Sequence, residues 1–248
     1  MAKKVFLGIG HGGSDPGAVA NGFKEAALNL TIGLYCRDEL VRHKVNVMMS
    51  RTKDEYDPLT DEIQECNAYN PDLAVDIHNN AGGGDGAEVY HYSKGGTSKI
   101  LAQNILDYIV KETGQNSRGI KTRVNDNGTD YYGFIRQTKA PACIVECAFL
   151  DNKTDMKILD TVAEQQKMGI AIAHGILKTL GIAILATTTA KKETTTVKRD
   201  NTPDAYAKEA VDWAVKKGIL AGDSNGDYNL HSNVTRQDVL VFLHRALK

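Results

Sequence analysis

VFLGIG at residues 5–10 is a short, almost wholly apolar run that ends directly before His11, and a helix-like run begins at residue 25. Similar strand-like runs occur at 45–50, 73–78, 87–92 and 142–150, and helix-like runs occur at 25–44, 61–70, 98–114 and 155–181. Short apolar runs that alternate with longer amphipathic segments are typical of α/β proteins with mostly parallel strands. We therefore predict a mostly parallel twisted sheet flanked by helices, plus a small helical segment at the C-terminus.

The composition of the chain changes near residue 183. Residues 183–202 are rich in Thr and Lys and lack both helical periodicity and glycine turns, which is typical of a solvated linker. Residues 1–182 carry the alternating pattern, whereas residues 203–248 contain two short helix-like runs around a turn-rich loop. The sequence therefore predicts a large domain, a linker and a small C-terminal segment.

Composition and charge exclude several classes of protein. The 248 residues are 42% hydrophobic and 25% charged, which is an ordinary globular composition. The formal net charge is −1 without a concentrated basic patch, so we expect no nucleic-acid partner. No apolar run is long enough to span a bilayer, so we expect no membrane partner. The apolar run after Lys3 and Lys4 is too short for a signal peptide, and we expect synthesis in the cytoplasm.

Four side chains that suit metal chemistry lie where predicted strands end or where the first helix begins. His11 and His78 stand at the ends of strand-like runs, Glu146 lies inside the last run, and Glu25 opens the first helix. Ligands bind at the carboxyl ends of parallel strands, so these side chains are expected to converge on one cleft.

The residue types at these positions fit metal-assisted hydrolysis. Two histidines and a carboxylate, with a fourth position left open, are a common catalytic set for zinc. Zinc lowers the pKa of a bound water toward neutrality, and a second carboxylate can serve as general base and acid. Glu146 suits the second role, because a glutamate on an otherwise apolar strand is costly to bury without a partner or a function.

Each of these residues also has a simpler interpretation. His11 can be a loop histidine beside a glycine-rich turn, and His78 can be a hydrogen-bonded histidine at a strand end. Glu25 can be a first-turn acid that the helix dipole favours, and Glu146 can pair with Arg136. Residue type and spacing alone leave both interpretations open.

Three segments resemble the zinc-dependent N-acetylmuramoyl-L-alanine amidase family known as amidase-3. The family's opening segment is similar to GIGHGGSDPGAVANGFKEAALNL at 8–30, and its strand that ends in histidine is similar to AVDIHNNAGG at 74–83. Its last, glutamate-bearing strand is similar to APACIVECAFLDNKTDM at 140–156. The three segments occur in the family's order and cover essentially residues 4–181, so the resemblance implies an amidase catalytic domain at 1–182.

The resemblance also implies a role for each candidate residue. His11, Glu25 and His78 would hold one Zn²⁺ per chain, and Glu146 would be the catalytic acid and base. The substrate would be peptidoglycan, cut at the amide between N-acetylmuramic acid and L-alanine. Asp76 is a departure, because the family usually has serine there; we expect the change to be harmless, with Asp76 able to act as a partner of a metal ligand.

Two polar residues are candidates for contacts with the substrate. Asn80 lies two residues after His78, and its alternative role is to shape the turn. Arg136 lies shortly before the last strand-like run and is the second candidate.

The C-terminal segment 203–248 resembles an S-layer homology repeat. The resemblance is carried by two sequence segments, VDWAVKKGILAGDSNGDYN and NVTRQDVLVFLHRAL. The resemblance implies binding of a secondary cell-wall polymer, with Arg236 and Trp213 as contact candidates; for Trp213 the alternative is a core position. The family usually carries three repeats and this chain has one. The single copy therefore either self-associates between chains, packs on the amidase domain or is a remnant.

Three biological roles are compatible with this sequence. The first is a phage or prophage endolysin, made without a signal peptide and acting on the wall after release. The second is a host amidase for sporulation or mother-cell lysis. The third, from a different class, is a non-catalytic cell-wall-binding protein, against which the complete set of four candidate catalytic residues argues.

Overall fold

The structure is a computed structural model of the 248-residue chain that describes residues 2–185, 203, 208–217, 219–220 and 230. Met1–Leu185 form one compact unit and Ala186–Lys248 form a second. None of the described helices is long and apolar enough to cross a membrane.

The first unit is built on a six-stranded sheet in the order β4-β1-β5-β8-β6-β7. The four strands β4, β1, β5 and β8 are parallel, β6 runs antiparallel to β8, and β7 is parallel to β6. A separate two-stranded pair, β2–β3, precedes the first helix. The strands are β1 (Lys4–Ile9), β2 (Val19–Ala20), β3 (Phe23–Lys24), β4 (Asn46–Met49), β5 (Leu73–Asn80), β6 (Ala87–His91), β7 (Ser117–Lys121) and β8 (Ala142–Phe149).

Helices cover both faces of this sheet, so the predicted fold class is confirmed. The helices of the first unit are α1 (Glu25–Arg42), α2 (Leu59–Tyr69), α3 (Thr97–Thr113), α4 (Gly133–Gln137), α5 (Lys153–Met156) and α6 (Val162–Leu180). On one face of the sheet, side chains of the central strands, such as Val5 and Leu7 of β1, pack against α1, α3 and α6 and form the main hydrophobic core. The alternate residue Phe6 points to the other face and packs against α2 and α4.

The structure adds β2, β3, β7 and α4 to the predicted elements and divides one predicted helix. β7 was not predicted, because Ser117–Lys121 contains a glycine and two cations in place of an apolar run, as an edge strand allows. The predicted helix 155–181 is divided into α5 and α6, because Thr161 and Glu164 form a capping box that starts a new helix.

In the second unit the structure describes one helix, α7 (Lys208–Lys216), inside the predicted helical run. Trp213 on α7 is 51% exposed. The predicted second helix of this segment, with Arg236, lies outside the described residues.

Candidate metal centre and catalytic site

His11 is placed by the turn that follows β1. Its backbone has a φ of 63°, an uncommon value for a residue with a side chain. The turn is held by backbone hydrogen bonds between Gly12 and Asp15, and the Asp15 carboxylate lies 2.8 Å from Nδ1 of His11. Nε2 of the same ring therefore faces Glu25, 3.3 Å from its carboxylate. The hydrogen bond to Glu25 raises the pKa of His11 against the opposing effect of burial.

Glu25 is the first residue of α1 and lies at the centre of the group. Its carboxylate is buried and accepts backbone N–H groups of Ala18, at 2.9 Å, and Asn79, at 3.1 Å. Burial alone would raise its pKa, but the hydrogen bonds with His11 and His78 hold it well below the usual range. Glu25 is thus an ionised carboxylate with both histidines within reach.

His78 lies near the end of β5, on the sheet face that carries α2. Its Nδ1 is 3.0 Å from Glu25, and its Nε2 is 3.1 Å from Asp76, a residue on the same face of the same strand. Burial opposes a positive charge on the ring, but Asp76 and Glu25 raise the pKa of His78 well above its ordinary value. Gly10 makes the position possible, because a Cβ there would stand 2.1 Å from Cε1 of His78.

His11, Glu25 and His78 come together as the sequence pattern predicted. One ligand atom from each residue lies within 4.8 Å of the other two, and no other such group occurs in the described part of the chain. The two imidazole rings stand edge to face with centroids 5.1 Å apart. Two imidazole nitrogens and one carboxylate on one side of an open cleft form a donor set that suits zinc and leaves a position for water. The residues therefore fit the metal that the resemblance implies.

Glu146 lies on β8 directly beside His78 in the strand register. One of its carboxylate oxygens is buried and has no hydrogen-bond partner. Burial raises its pKa to about 7, helped by the negative charges of Glu25, Asp76 and Glu88. A carboxyl group with a pKa near neutrality can accept a proton and return it at physiological pH.

Among the described residues, Glu146 and Arg136 form no ion pair, so this alternative is not supported. Nη1 of Arg136 donates to the backbone carbonyls of Asp130, at 2.6 Å, and Tyr131, at 2.8 Å. Arg136 also lines a cavity of about 470 Å³ with Ser98 and Lys139, away from the candidate ligands. If Arg136 contacts the substrate as predicted, it does so away from the metal site.

Asn80 lies closer to the site than Arg136 does. Its side-chain amide donates to Glu88 at 3.3 Å, and its side-chain oxygen accepts the backbone N–H of Ala81 at 2.8 Å. Both contacts agree with a role in shaping the turn after β5. Glu88 itself binds Arg118 and Lys121 and stands beside Glu146 in the register between β6 and β8.

Two buried polar residues that support the site were not identified from the sequence. Arg51 is 1% exposed and donates to the carbonyls of Ile9, Gly10 and Ala26, which ties the end of β1 to α1. Asn29 donates to the carbonyl of Gly10 at 2.9 Å and accepts from Asn79 at 2.8 Å. Hydrophobic periodicity could not identify either residue. In the sequence, a single polar residue in or next to a helix or strand looks the same whether it is buried or exposed.

A cavity of about 320 Å³ opens beside the candidate metal centre. Its lining includes His11 and His78 from the ligand group and three aromatic side chains. The aromatic residues are Tyr56, Tyr132 and Phe134, and four carboxylates lie on the same wall: Asp15, Asp57, Glu62 and Asp76.

Two family descriptions match the chain. The description N-acetylmuramoyl-L-alanine amidase matches residues 5–178, and S-layer homology domain matches residues 200–240. Both resemblances seen in the sequence are therefore confirmed.

Relatives with similar sequences include two amidases and an endolysin. The amidase CwlM of Bacillus licheniformis is 32% identical over 210 residues, which is 84% of this chain and 80% of CwlM. The endolysin of Bacillus phage SPP1 is 36% identical over 73% of this chain and 69% of its own length. A sporulation-specific amidase of Bacillus subtilis is 33% identical over 70% of this chain and 66% of its own length.

A solved structure gives the same result at the level of the fold. The N-acetylmuramoyl-L-alanine amidase from Clostridium difficile 630 superposes with a TM-score of 0.67 and is 30% identical. The match covers 73% of this chain and 97% of that structure. With the fold, the converging side chains and the family match in agreement, the chain belongs to the N-acetylmuramoyl-L-alanine amidases, enzymes that act on bacterial peptidoglycan.

Proposed function

We propose that this enzyme is a zinc hydrolase that cuts the amide between N-acetylmuramic acid and L-alanine, with one Zn²⁺ held by His11, Glu25 and His78. The observation that carries the proposal is the convergence of three ligand atoms within 4.8 Å at the carboxyl edge of the sheet. When bound there, zinc supplies a water of lowered pKa and polarises the substrate carbonyl.

Glu146 is the proposed proton carrier in this reaction. Its carboxylate accepts a proton from the attacking water, and the carboxyl group then gives that proton to the nitrogen of L-alanine as the amide bond breaks. The pKa near 7 suits both steps, because neither protonation state is strongly disfavoured at neutral pH. The half-buried side chain of Asn80 at the end of β5 is a candidate for holding the glycan or the peptide.

Digestion of purified peptidoglycan followed by mass spectrometry tests the bond that is cut. We expect free muramoyl glycans and peptides that begin with L-alanine, and we expect a chelator to stop their release. Cut cross-links or cut glycan strands would contradict the amidase assignment, and full activity without metal would contradict the zinc assignment.

We further propose that the protein acts as a phage or prophage endolysin. The similarity to the endolysin of phage SPP1 supports this role, and the enzyme would then reach the wall after release from the cell that made it. The similarity to a sporulation-specific amidase supports the alternative of a host enzyme. A gene for a membrane-permeabilising holin next to this gene would support the endolysin, and a promoter active only during sporulation would contradict it.

The C-terminal segment is proposed to bind a secondary cell-wall polymer. The match to the S-layer homology domain supports this partner, and the exposure of Trp213 leaves its ring available for contact. Arg236 and association between copies of the segment stay predictions. In sedimentation with cell walls, Trp213→Ala and Arg236→Ala in the full chain should each leave more protein in solution than the wild type. Equal sedimentation of the wild type with walls stripped of the polymer would contradict the proposal.

A further inference from the structure

Asp76 contacts the ring nitrogen of His78 that faces away from the other candidate ligands. Its carboxylate oxygen Oδ2 lies 3.1 Å from Nε2 of His78, and the residue is 3% exposed. Nδ1 of the same ring lies 3.0 Å from Glu25, on the side of the candidate metal position. The two nitrogens of His78 therefore have different partners, and Asp76 defines which nitrogen is free for a metal.

Glu62 of α2 stands behind Asp76 and is 5% exposed. Oε1 of Glu62 and Oδ1 of Asp76 are both buried without a hydrogen-bond partner. The two oxygens lie 1.9 Å and 2.8 Å from the point where a Cβ on Gly8 would stand, so they occupy one small space that only glycine leaves open. A neutral Glu62 carboxyl group can donate its O–H to Asp76 across this space after a small side-chain movement.

A ligand from the neighbouring cavity does not account for these two oxygens. Both atoms are closed off from solvent although their residues line the cavity wall, so a dissolved cation has no direct path to them. None of the described lysines or arginines forms a salt bridge with either carboxyl group, and the charged group that Asp76 contacts is His78. The arrangement instead places the Glu62 carboxyl group of α2 beside the Asp76 carboxylate, which contacts the imidazole of His78.

We propose that Asp76 and Glu62 are positioning residues for the metal site, a proposal that rests on the zinc function proposed above. Asp76 accepts the Nε2–H of His78 and fixes the ring with Nδ1 toward Glu25. Glu62 holds the Asp76 carboxylate in that orientation. A metal-binding histidine whose second nitrogen is held by a carboxylate loses less conformational freedom on binding and is a stronger donor.

Zinc affinity of the full chain, measured by competition with a chromophoric chelator, tests both roles without depending on catalysis. We expect Asp76→Ala to weaken zinc binding about 10- to 100-fold. Asp76→Asn should recover part of this loss, because its side-chain oxygen still accepts from Nε2–H. Glu62→Ala should weaken binding at least about threefold, whereas Glu62→Gln should stay close to the wild type, because its amide can still donate to Asp76.

Asp130→Asn is the matched control for a merely structural effect. Asp130 is also a buried acid, 4% exposed, but it accepts from the backbone and the hydroxyl of Ser93, away from the metal centre. Asp130→Asn should lower the free energy of unfolding in urea without changing the affinity for zinc.

The outcomes separate this inference from the function on which it rests. A wild-type chain without zinc affinity would contradict the proposed zinc function. A wild-type chain that binds zinc, with folded Asp76→Ala binding it equally well, would contradict the positioning role alone. If Asp76→Ala does not fold, the other variants carry the test. The positioning role would then be contradicted if zinc binds equally well to Asp76→Asn, Glu62→Ala and the wild type.

Discussion

Glu146 illustrates how a single residue acquires its chemistry from its neighbours. Its carboxyl group lies between the candidate metal ligand His78 and the acid Glu88 on adjacent strands. Burial is the main reason why its pKa rises to about 7, and three neighbouring carboxylates add to the effect. The same glutamate on an exposed strand would be fully ionised at neutral pH and would return a proton poorly.

The neighbouring charge gives a first prediction. Glu88→Gln removes a negative charge and leaves Arg118 and Lys121 without their carboxylate, so the pKa of Glu146 should fall. The measurement is a pH titration of the Glu146 carboxyl carbon by NMR in the metal-free protein. An unchanged or higher pKa in the variant would contradict this account of the site.

Replacement of Glu146 itself gives a second prediction. Glu146→Gln keeps the size of the side chain but removes the proton acceptor, so hydrolysis should fall about 10²- to 10⁴-fold while zinc binding remains. Release of peptides from purified walls and the zinc content of the purified variant are the two measurements. Normal hydrolysis by Glu146→Gln would show that Glu146 is not the proton carrier.

At the scale of the elements, a buried ion group joins three helices behind the sheet. Nδ1 of His174 on α6 lies 2.7 Å from Glu112 on α3, and its Nε2 lies 3.1 Å from Glu39 on α1. Arg42 and His43 also face Glu39, at 2.6 Å and 3.6 Å. Burial opposes the charge on His174, but the two glutamates raise its pKa above the ordinary value.

This group predicts a pH-dependent contribution to stability. Because the pKa of His174 is raised on folding, its contribution is complete below the unfolded pKa of about 6.5 and disappears as the pH rises through the folded pKa. His174→Gln should therefore lower the free energy of unfolding by roughly 1–3 kcal/mol more at pH 6 than at pH 9. Urea unfolding at the two pH values is the measurement.

His91→Gln is the control for this third prediction. His91 is also buried, but its Nδ1 contacts the backbone carbonyl of Tyr92. A backbone carbonyl carries no ionic charge, so His91→Gln changes a hydrogen bond and not an ion pair with a carboxylate. Equal pH dependence in the two variants would contradict the role of the His174 group.

The start of α6 gives a fourth prediction at the same scale. The hydroxyl of Thr161 accepts the backbone N–H of Glu164, and the Glu164 carboxylate accepts the backbone N–H of Thr161. Thr161→Ala should therefore destabilise the protein by about 0.5–2 kcal/mol in urea unfolding. Thr31→Ala is a control, because the Thr31 hydroxyl bonds only to the carbonyl of Ala27 within α1, and it should be nearly neutral.

Over the catalytic unit as a whole, the candidate ligands connect distant parts of the chain. His11 follows β1, Glu25 begins α1 and His78 lies on β5, so a metal would cross-link three separate elements of the fold. An ion that binds only the folded state stabilises it by mass action.

Zinc should therefore raise the melting temperature of the full chain, and this is the fifth prediction. Calorimetry before and after treatment with a chelator, and again after zinc is restored, measures the effect. His78→Ala should show no response to zinc, because one ligand is missing. A zinc response in His78→Ala equal to that of the wild type would place the metal elsewhere.

Local sequence patterns were enough to predict the order of the main strands and helices, the residues of the candidate metal group and the enzyme family. Apolar runs such as 5–10 and 73–78 carry this information locally, and the residues that flank them carry the resemblance. The sequence did not reveal β7, because an edge strand needs little apolar surface, nor the break before α6, because a capping box inside an apolar helical pattern is a weak local signal.

The sequence singled out Asp76, but the other polar residues that support the site became visible only in the folded chain. Asp76, Glu62 and Gly8 are adjacent because β1, β5 and α2 pack together, although 68 residues separate Gly8 from Asp76 in the chain. Likewise, Arg136 donates to nearby carbonyls while Glu146 keeps an unpaired buried oxygen. Burial and charge pairing depend on distance in space, whereas periodicity along the chain encodes the buried face of an element but not the element that will pack against it.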